Sequence, residues 1–230
     1  MKRIRTWHLL LAAAAFGLAP VGGRADVQGI IRETQRIEQV RGGMRLIWWI
    51  PTDYWRESFK TSTISKAQAD GIYKTLDEYI IIAVEEGKVG PAGGFTPLPR
   101  DEMLAKLSVK VGEGDDLKPV DPGDLSPDAR NLLDMMKPVL SNLLGQFGKG
   151  IEFVCFPAKD ASGAKLADPH QPGLLKVTYA GTLQQFRLPL GSLMPPKYDP
   201  KTGEQFMGNY TFSPYTGTRL VDAPPPAANP

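Results

Sequence analysis

Apolar positions recur first at helical spacing. Residues 27–41, VQGIIRETQRIEQVR, set Val27, Ile30, Ile31, Ile37 and Val40 on one side of a helix, and Gly42-Gly43 supplies its end. MRLIWWIP abandons that spacing for a continuous apolar run and reads as a strand closed by Pro51. TDYWRESF follows as a short helix, with Thr52 or Asp53 to cap it. Ser65 and Gln68 stand at capping-box spacing, and Ile72, Tyr73, Leu76 and Ile80 continue along one face behind them. YIIIAVEEGKVG then turns to β-branched strand character, with Glu86-Gly87 as a hairpin turn.

MLAKLSVKVG alternates Leu104, Lys106 and Ser108 with apolar neighbours, the pattern of a half-buried strand. Residues 112–127 are rich in Gly, Asp and Pro and form a loop, from which Ser126-Pro127 opens a second long helix. Its stripe is Leu132, Leu133, Met136, Leu140, Leu143 and Leu144, and Pro138 should kink or divide it. Strands follow at 151–156, 174–179 and 183–190, joined by polar Pro/Gly-rich connections. Two or three helices among about six short strands, without βαβ alternation, predict an α+β fold with a mainly antiparallel sheet.

The N-terminus changes which residues count. MKRIR, the Leu/Ala-rich run from Trp7 to Ala19 and the small residues around Gly23-Arg24-Ala25 make residues 1–25 a secretory signal, too short an apolar run for a comfortable membrane span. No cysteine follows to take a lipid. The segment removes Lys2, Arg3, Arg5 and Arg24 and no acid, so the formal charge of the remainder is −2 rather than +2. Such a chain has no basic footprint for nucleic acid. The expected location is the periplasm or extracellular space, with no stable membrane span after signal cleavage. About 205 residues remain, enough for one sizeable core. Residues 26–196 form the α+β domain, and the tail 222–230, including Pro224-Pro225-Pro226, cannot build a core.

Between these two lies the stretch 198–220, YDPKTGEQFMGNYTFSPYTGTRL. Asp199-Pro200-Lys201-Thr202-Gly203 and Ser213-Pro214-Tyr215-Thr216-Gly217 repeat one turn pattern, with Phe212 before the second copy and Leu220 after it. Residues 197–221 thus resemble a zinc ribbon, whose two knuckles read Cys-Pro-x-Cys-Gly. The four ligand positions of that family are Asp199, Thr202, Ser213 and Thr216 here, and hydroxyls are poor zinc ligands, so neither metal nor cofactor is expected. Proline and glycine keep their backbone reasons. Asp199 and Ser213 can accept from turn amides, and Tyr198, Phe206, Tyr210, Phe212 and Tyr215 are candidates to organise the module in place of metal. Two ordinary hairpin turns sharing Pro-x-Thr-Gly would give the same small β unit. In the resemblance, such modules serve as interaction platforms.

Candidate chemistry is sparse. Cys155, the single cysteine, sits in the apolar run IEFVCFP and reads as a buried strand residue rather than a nucleophile. After the signal, His170 is the one imidazole, in a Pro-flanked loop without a G-x-S-x-G elbow. GPAGGF at 90–95 lacks the Lys-Ser/Thr of a phosphate loop and reads as a turn. The acidic doublets Glu85-Glu86, Asp101-Glu102 and Asp115-Asp116 point to opposite faces in extended chain and are not glycosidase pairs in themselves. WWIPTDYW is the densest aromatic run. Trp48 and Trp49 face opposite ways in a strand, so Trp49, Asp53 and Trp55, with Arg56 nearby, form one candidate binding surface for a saccharide or peptide, unless the rings fill the core. Tyr210 and Tyr215 form the other. The expectation is a non-enzymatic binding or interaction protein of the cell envelope, engaging an envelope protein or saccharide. The alternative is a hydrolase of envelope or extracellular substrates acting through carboxylates.

Overall fold

The computed structural model of the protein describes residues 27–225. The expected signal at residues 1–25, with Asp26, and the last five residues of the tail lie outside them. The architecture is α+β with antiparallel sheets. Helix α1 (Val27–Thr34) leads into a meander of β1 (Gln35–Val40), β2 (Gly43–Trp49) and β3 (Tyr79–Val89). On the far side of β3 pair β4 (Phe95–Pro97) at its end and β6 (Glu152–Pro157) along its start. Helices α2 (Thr52–Phe59) and α3 (Lys66–Leu76) connect β2 to β3. The short α4 (Arg100–Leu104) precedes β5 (Leu107–Val111), and α5 (Pro127–Leu144) leads to β6. A second sheet, ordered β5, β7 (Gly173–Tyr179), β8 (Thr182–Leu188), closes through Ala180 and Gly181, both at positive φ as a two-residue hairpin turn requires.

Trp48 and Trp49 show how the layers stack. Trp48 meets Tyr54 of α2 edge-on at 5.2 Å, whereas Trp49 meets Phe186 of β8 at 6.0 Å. The larger sheet therefore has helices α2, α3 and α5 on one face and the smaller sheet on the other. Both faces are covered along most of β2 and the first part of β3, which is why these strands read as apolar runs.

Several elements depart from the sequence expectation. The first helix stops at Thr34, and residues 35–40 are strand β1. Ile37 and Val40 fit a helical stripe by spacing, but the Gly42 turn, at φ 74°, folds the segment back onto β2, where Ile37 is exposed. Gly87 is not a turn residue: β3 runs through it, and a Cβ there would meet Phe95 and the carbonyl oxygen of Thr96. The turn comes later, at residues 90–94, where the amides of Gly90 and Gly93 are bonded. The stretch around Met103 is helix rather than strand, since Pro99 precedes a first turn holding Asp101 and Glu102. Helix α2 has Pro51 at its N-cap with no side-chain cap, Thr52 and Asp53 being already helical. Helix α5 runs through Pro138 undivided. The capping box of α3 forms as read, with Gln68 N donating to Ser65 Oγ and Ser65 N to Gln68 Oε1.

Candidate functional site

Residues 197–221 carry a two-stranded sheet and two turns of their own. Strands β9 (Lys197–Tyr198) and β10 (Gln205–Phe206) pair around the first turn, and Tyr198 and Val221 bond through both amides on the other side. The second turn closes between Phe212 and Arg219. The two turns repeat each other atom for atom: Gly203 N donates to Asp199 O at 2.8 Å, and Gly217 N to Ser213 O at 2.9 Å. Both glycines have positive φ, 74° and 67°, so each turn needs glycine for its backbone alone.

Between the turns sits a polar centre. Asp199 is 0% exposed; its Oδ1 accepts from Lys201 N at 2.8 Å, and its Oδ2 accepts from Thr216 Oγ1 at 2.6 Å, across the gap between the knuckles. Ser213, also buried, accepts from Tyr215 N and Thr216 N. The Thr202 hydroxyl serves its own turn through Glu204 N. The Thr216 hydroxyl, then the Lys201 amide, holds the Asp199 carboxyl below the usual carboxylate range, because each donor favours the anion. One carboxylate and three hydroxyls do not suit structural zinc. Among the described residues no group of three or more His, Cys, Asp or Glu side chains is placed to hold a metal ion.

The aromatic residues do not organise the module from within. Phe206 touches Tyr210 and Tyr215, each with ring centres 6.1 Å away, yet Tyr210, Phe212 and Tyr215 are 43%, 56% and 77% exposed. Their rings face outward while the hydrogen-bonded carboxylate fills the middle. Residues 197–221 meet the preceding chain where Gly208 N donates to Gly191 O at 3.0 Å and Asn209 reaches Glu33 of α1. Its carboxylate accepts from Gly191 N and Ser192 N, both at 2.8 Å, at a turn of 3-10 helix (Gly191–Leu193), and from Asn209 Nδ2 at 3.4 Å.

The other candidate surface is placed differently. Trp49 is 2% exposed, and Trp55 is buried between Tyr54 and Phe59, so both rings belong to the core. Asp53 stays near the surface, where it meets a residue that sequence reading left in solvent: His170 Nε2 lies 2.9 Å from Asp53 Oδ1. Asp168 accepts from His170 N and fixes the loop that brings the ring there. The two residues are 117 positions apart, and no local pattern signals their meeting.

Two grooves cross the helical side. One, lined by Trp55, Phe59, Ile72, Leu132, Met135 and Val139, is apolar and runs between α2, α3 and α5. The other, of about 360 Å³, is charged in both signs, with Arg56 stacked on Tyr73 and paired to Asp77. Cys155 is buried, and burial pushes its thiol up to about 12, which leaves it inert. Glu85 and Glu152 lie close together at the β3–β6 seam, but Glu85 is buried and Glu152 is paired with Lys137. Among the described residues no helix is long and apolar enough to cross a membrane. Compared with protein-family models, curated proteins and solved structures, the chain gives no match in any of the three.

Proposed function

We propose that the protein is a non-enzymatic binding or interaction protein of the cell envelope, exported by residues 1–25, with residues 197–221 as its contact surface. The observation that carries this reading is the outward placement of Tyr210, Phe212 and Tyr215 on a unit whose backbone is fixed by the Asp199 centre. Aromatic area left in water adds little to folding, while rigid, amphipathic rings bind partners at low entropic cost. We read the unit as a ribbon that has exchanged thiolates for a buried carboxylate and hydroxyls, a change suited to an exported chain with one buried cysteine. The partner is an envelope protein or a saccharide. The burial of Trp49 and Trp55 moves the site away from the first aromatic run. The hydrolase alternative would need carboxylates open to substrate, and the Glu85–Glu152 seam does not offer them.

A photo-crosslinking residue at position 215, used in whole cells, tests the reading, with one at exposed Lys118 as control. Discrete adducts at 215 alone are expected, or retention on envelope polysaccharide that Tyr215→Ala abolishes. Absence of both would sink it.

A further inference from the structure

Glu85 occupies the helix-covered face of β3, across from Leu46, at 2% exposure. Its Oε1 accepts from Gly150 N at 2.8 Å, and its Oε2 is buried with no hydrogen-bond partner. An anion there would have the Gly150 amide as donor at Oε1 and nothing at Oε2. The charges around it come from three elements. Glu152 on β6 repels it; Lys137 of α5 is already committed to Glu152 at 2.7 Å; Arg100 of α4 also turns to Glu152, at 3.6 Å. Strand β4 contributes uncharged Pro97 and β2 uncharged Leu46, and the segment 145–150 carries only the exposed Lys149.

That segment packs on the end of α5 and on β4. Ser141 Oγ donates to Gly148 O at 2.6 Å, Phe147 meets Phe95 edge-on at 5.2 Å, and Gly150 lies so close to Pro97 that a Cβ would collide with it. We propose that Glu85 is a proton-operated latch: its neutral carboxyl seats residues 145–150 against the sheet, and its ionisation releases them. A neutral carboxyl leaves one hydroxyl unbonded at modest cost, whereas a carboxylate needs water or a cation. Either remedy requires movement, since the bare Oε2 is sealed from solvent beside the Gly150 contact and Lys137 is engaged by Glu152. Burial, reinforced by Glu152 and opposed by the Gly150 amide and Lys137, pushes the carboxyl up to about 7, so the latch works near neutral pH.

Amide hydrogen exchange on the signal-free chain, corrected for intrinsic rates, tests the latch between about pH 5.5 and pH 8.5. Protection of residues 148–150 should fall on the order of tenfold with rising pH in the wild type. In Glu85→Gln, which is neutral throughout, protection should stay high at both values. Equal protection of the wild type at both pH values, or the same loss in Glu85→Gln, would overturn the proposal. Tryptic cleavage at Lys149 in the wild type, normalised to a reference peptide, gives a reading independent of the variant's folding: faster cleavage at high pH is expected, and a flat rate would count against the latch.

Discussion

Thr216 and Asp199 face each other across two identical turns, the threonine hydroxyl donating to the buried carboxylate at 2.6 Å. That bond stands where the zinc-ribbon resemblance would put metal–thiolate bonds. It joins the two turns through a charge-assisted contact. Removing the acceptor charge should therefore loosen the whole unit. Asp199→Asn is expected to speed thermolysin cleavage within residues 197–221 several-fold and to leave the main-domain melting transition unchanged. An unchanged cleavage rate would show that backbone turns alone suffice.

The same centre has a definite pH signature. Asp199 is held below its ordinary range, chiefly by Thr216, so the folded state binds fewer protons there than the unfolded one. Its stabilisation is fully present above about pH 4, where an unfolded aspartate is ionised, and is lost as pH falls through the folded value. Tyrosine fluorescence of the module should show an acid transition below about pH 4 that Thr216→Val moves upward. No movement would separate the hydroxyl from the carboxylate's behaviour.

If the turns keep ribbon geometry, thiols should restore the metal. Asp199→Cys, Thr202→Cys, Ser213→Cys and Thr216→Cys together should bind one Zn²⁺ per chain, read by cobalt substitution as thiolate charge transfer with tetrahedral d–d bands. Stoichiometric tetrahedral binding is expected. Only weak, non-tetrahedral binding would favour two ordinary hairpin turns over a ribbon.

The helical and strand layers were legible where local chemistry and tertiary fate agreed. Ser65 and Gln68 marked a helix start because their bonds lie within four residues. Ile37 misled because a stripe spacing does not say whether a hairpin partner exists, and β2 supplied one. Gly87 misled for the opposite reason: its lack of a side chain serves the close approach of β4, a neighbour that sequence cannot place. In the candidate site, turn chemistry was readable from Pro and Gly. The Asp199–Thr216 bond and the Asp53–His170 meeting are long-range and were not.

Trp49 and Tyr215 separate core from surface in one comparison. Trp49 packs on Phe186 between the sheets, so Trp49→Ala should cost about 3–5 kcal/mol by chemical denaturation. Tyr215→Ala should stay within about 0.5 kcal/mol of wild type while abolishing the adducts of a photo-crosslinking residue placed at position 210. A large stability loss at Tyr215 would make its ring structural and weaken the proposed surface.

Glu85 supplies the last test, at the level of global stability. Its carboxyl, pushed up to about 7 mainly by burial, binds more protons in the folded chain than in the unfolded one, whose glutamate titrates near its ordinary value. Stability must then fall as pH rises from about 4.5 to about 7 and level off above, the reverse of the Asp199 case. Glu85→Gln removes that slope. Measured by urea unfolding, the variant should gain on wild type by about 1–2 kcal/mol between pH 5 and pH 8, a figure kept below the full linkage value because release of residues 145–150 lets water relieve the charge. Parallel pH profiles for the two proteins would mean that Glu85 is solvated in the folded chain at every pH.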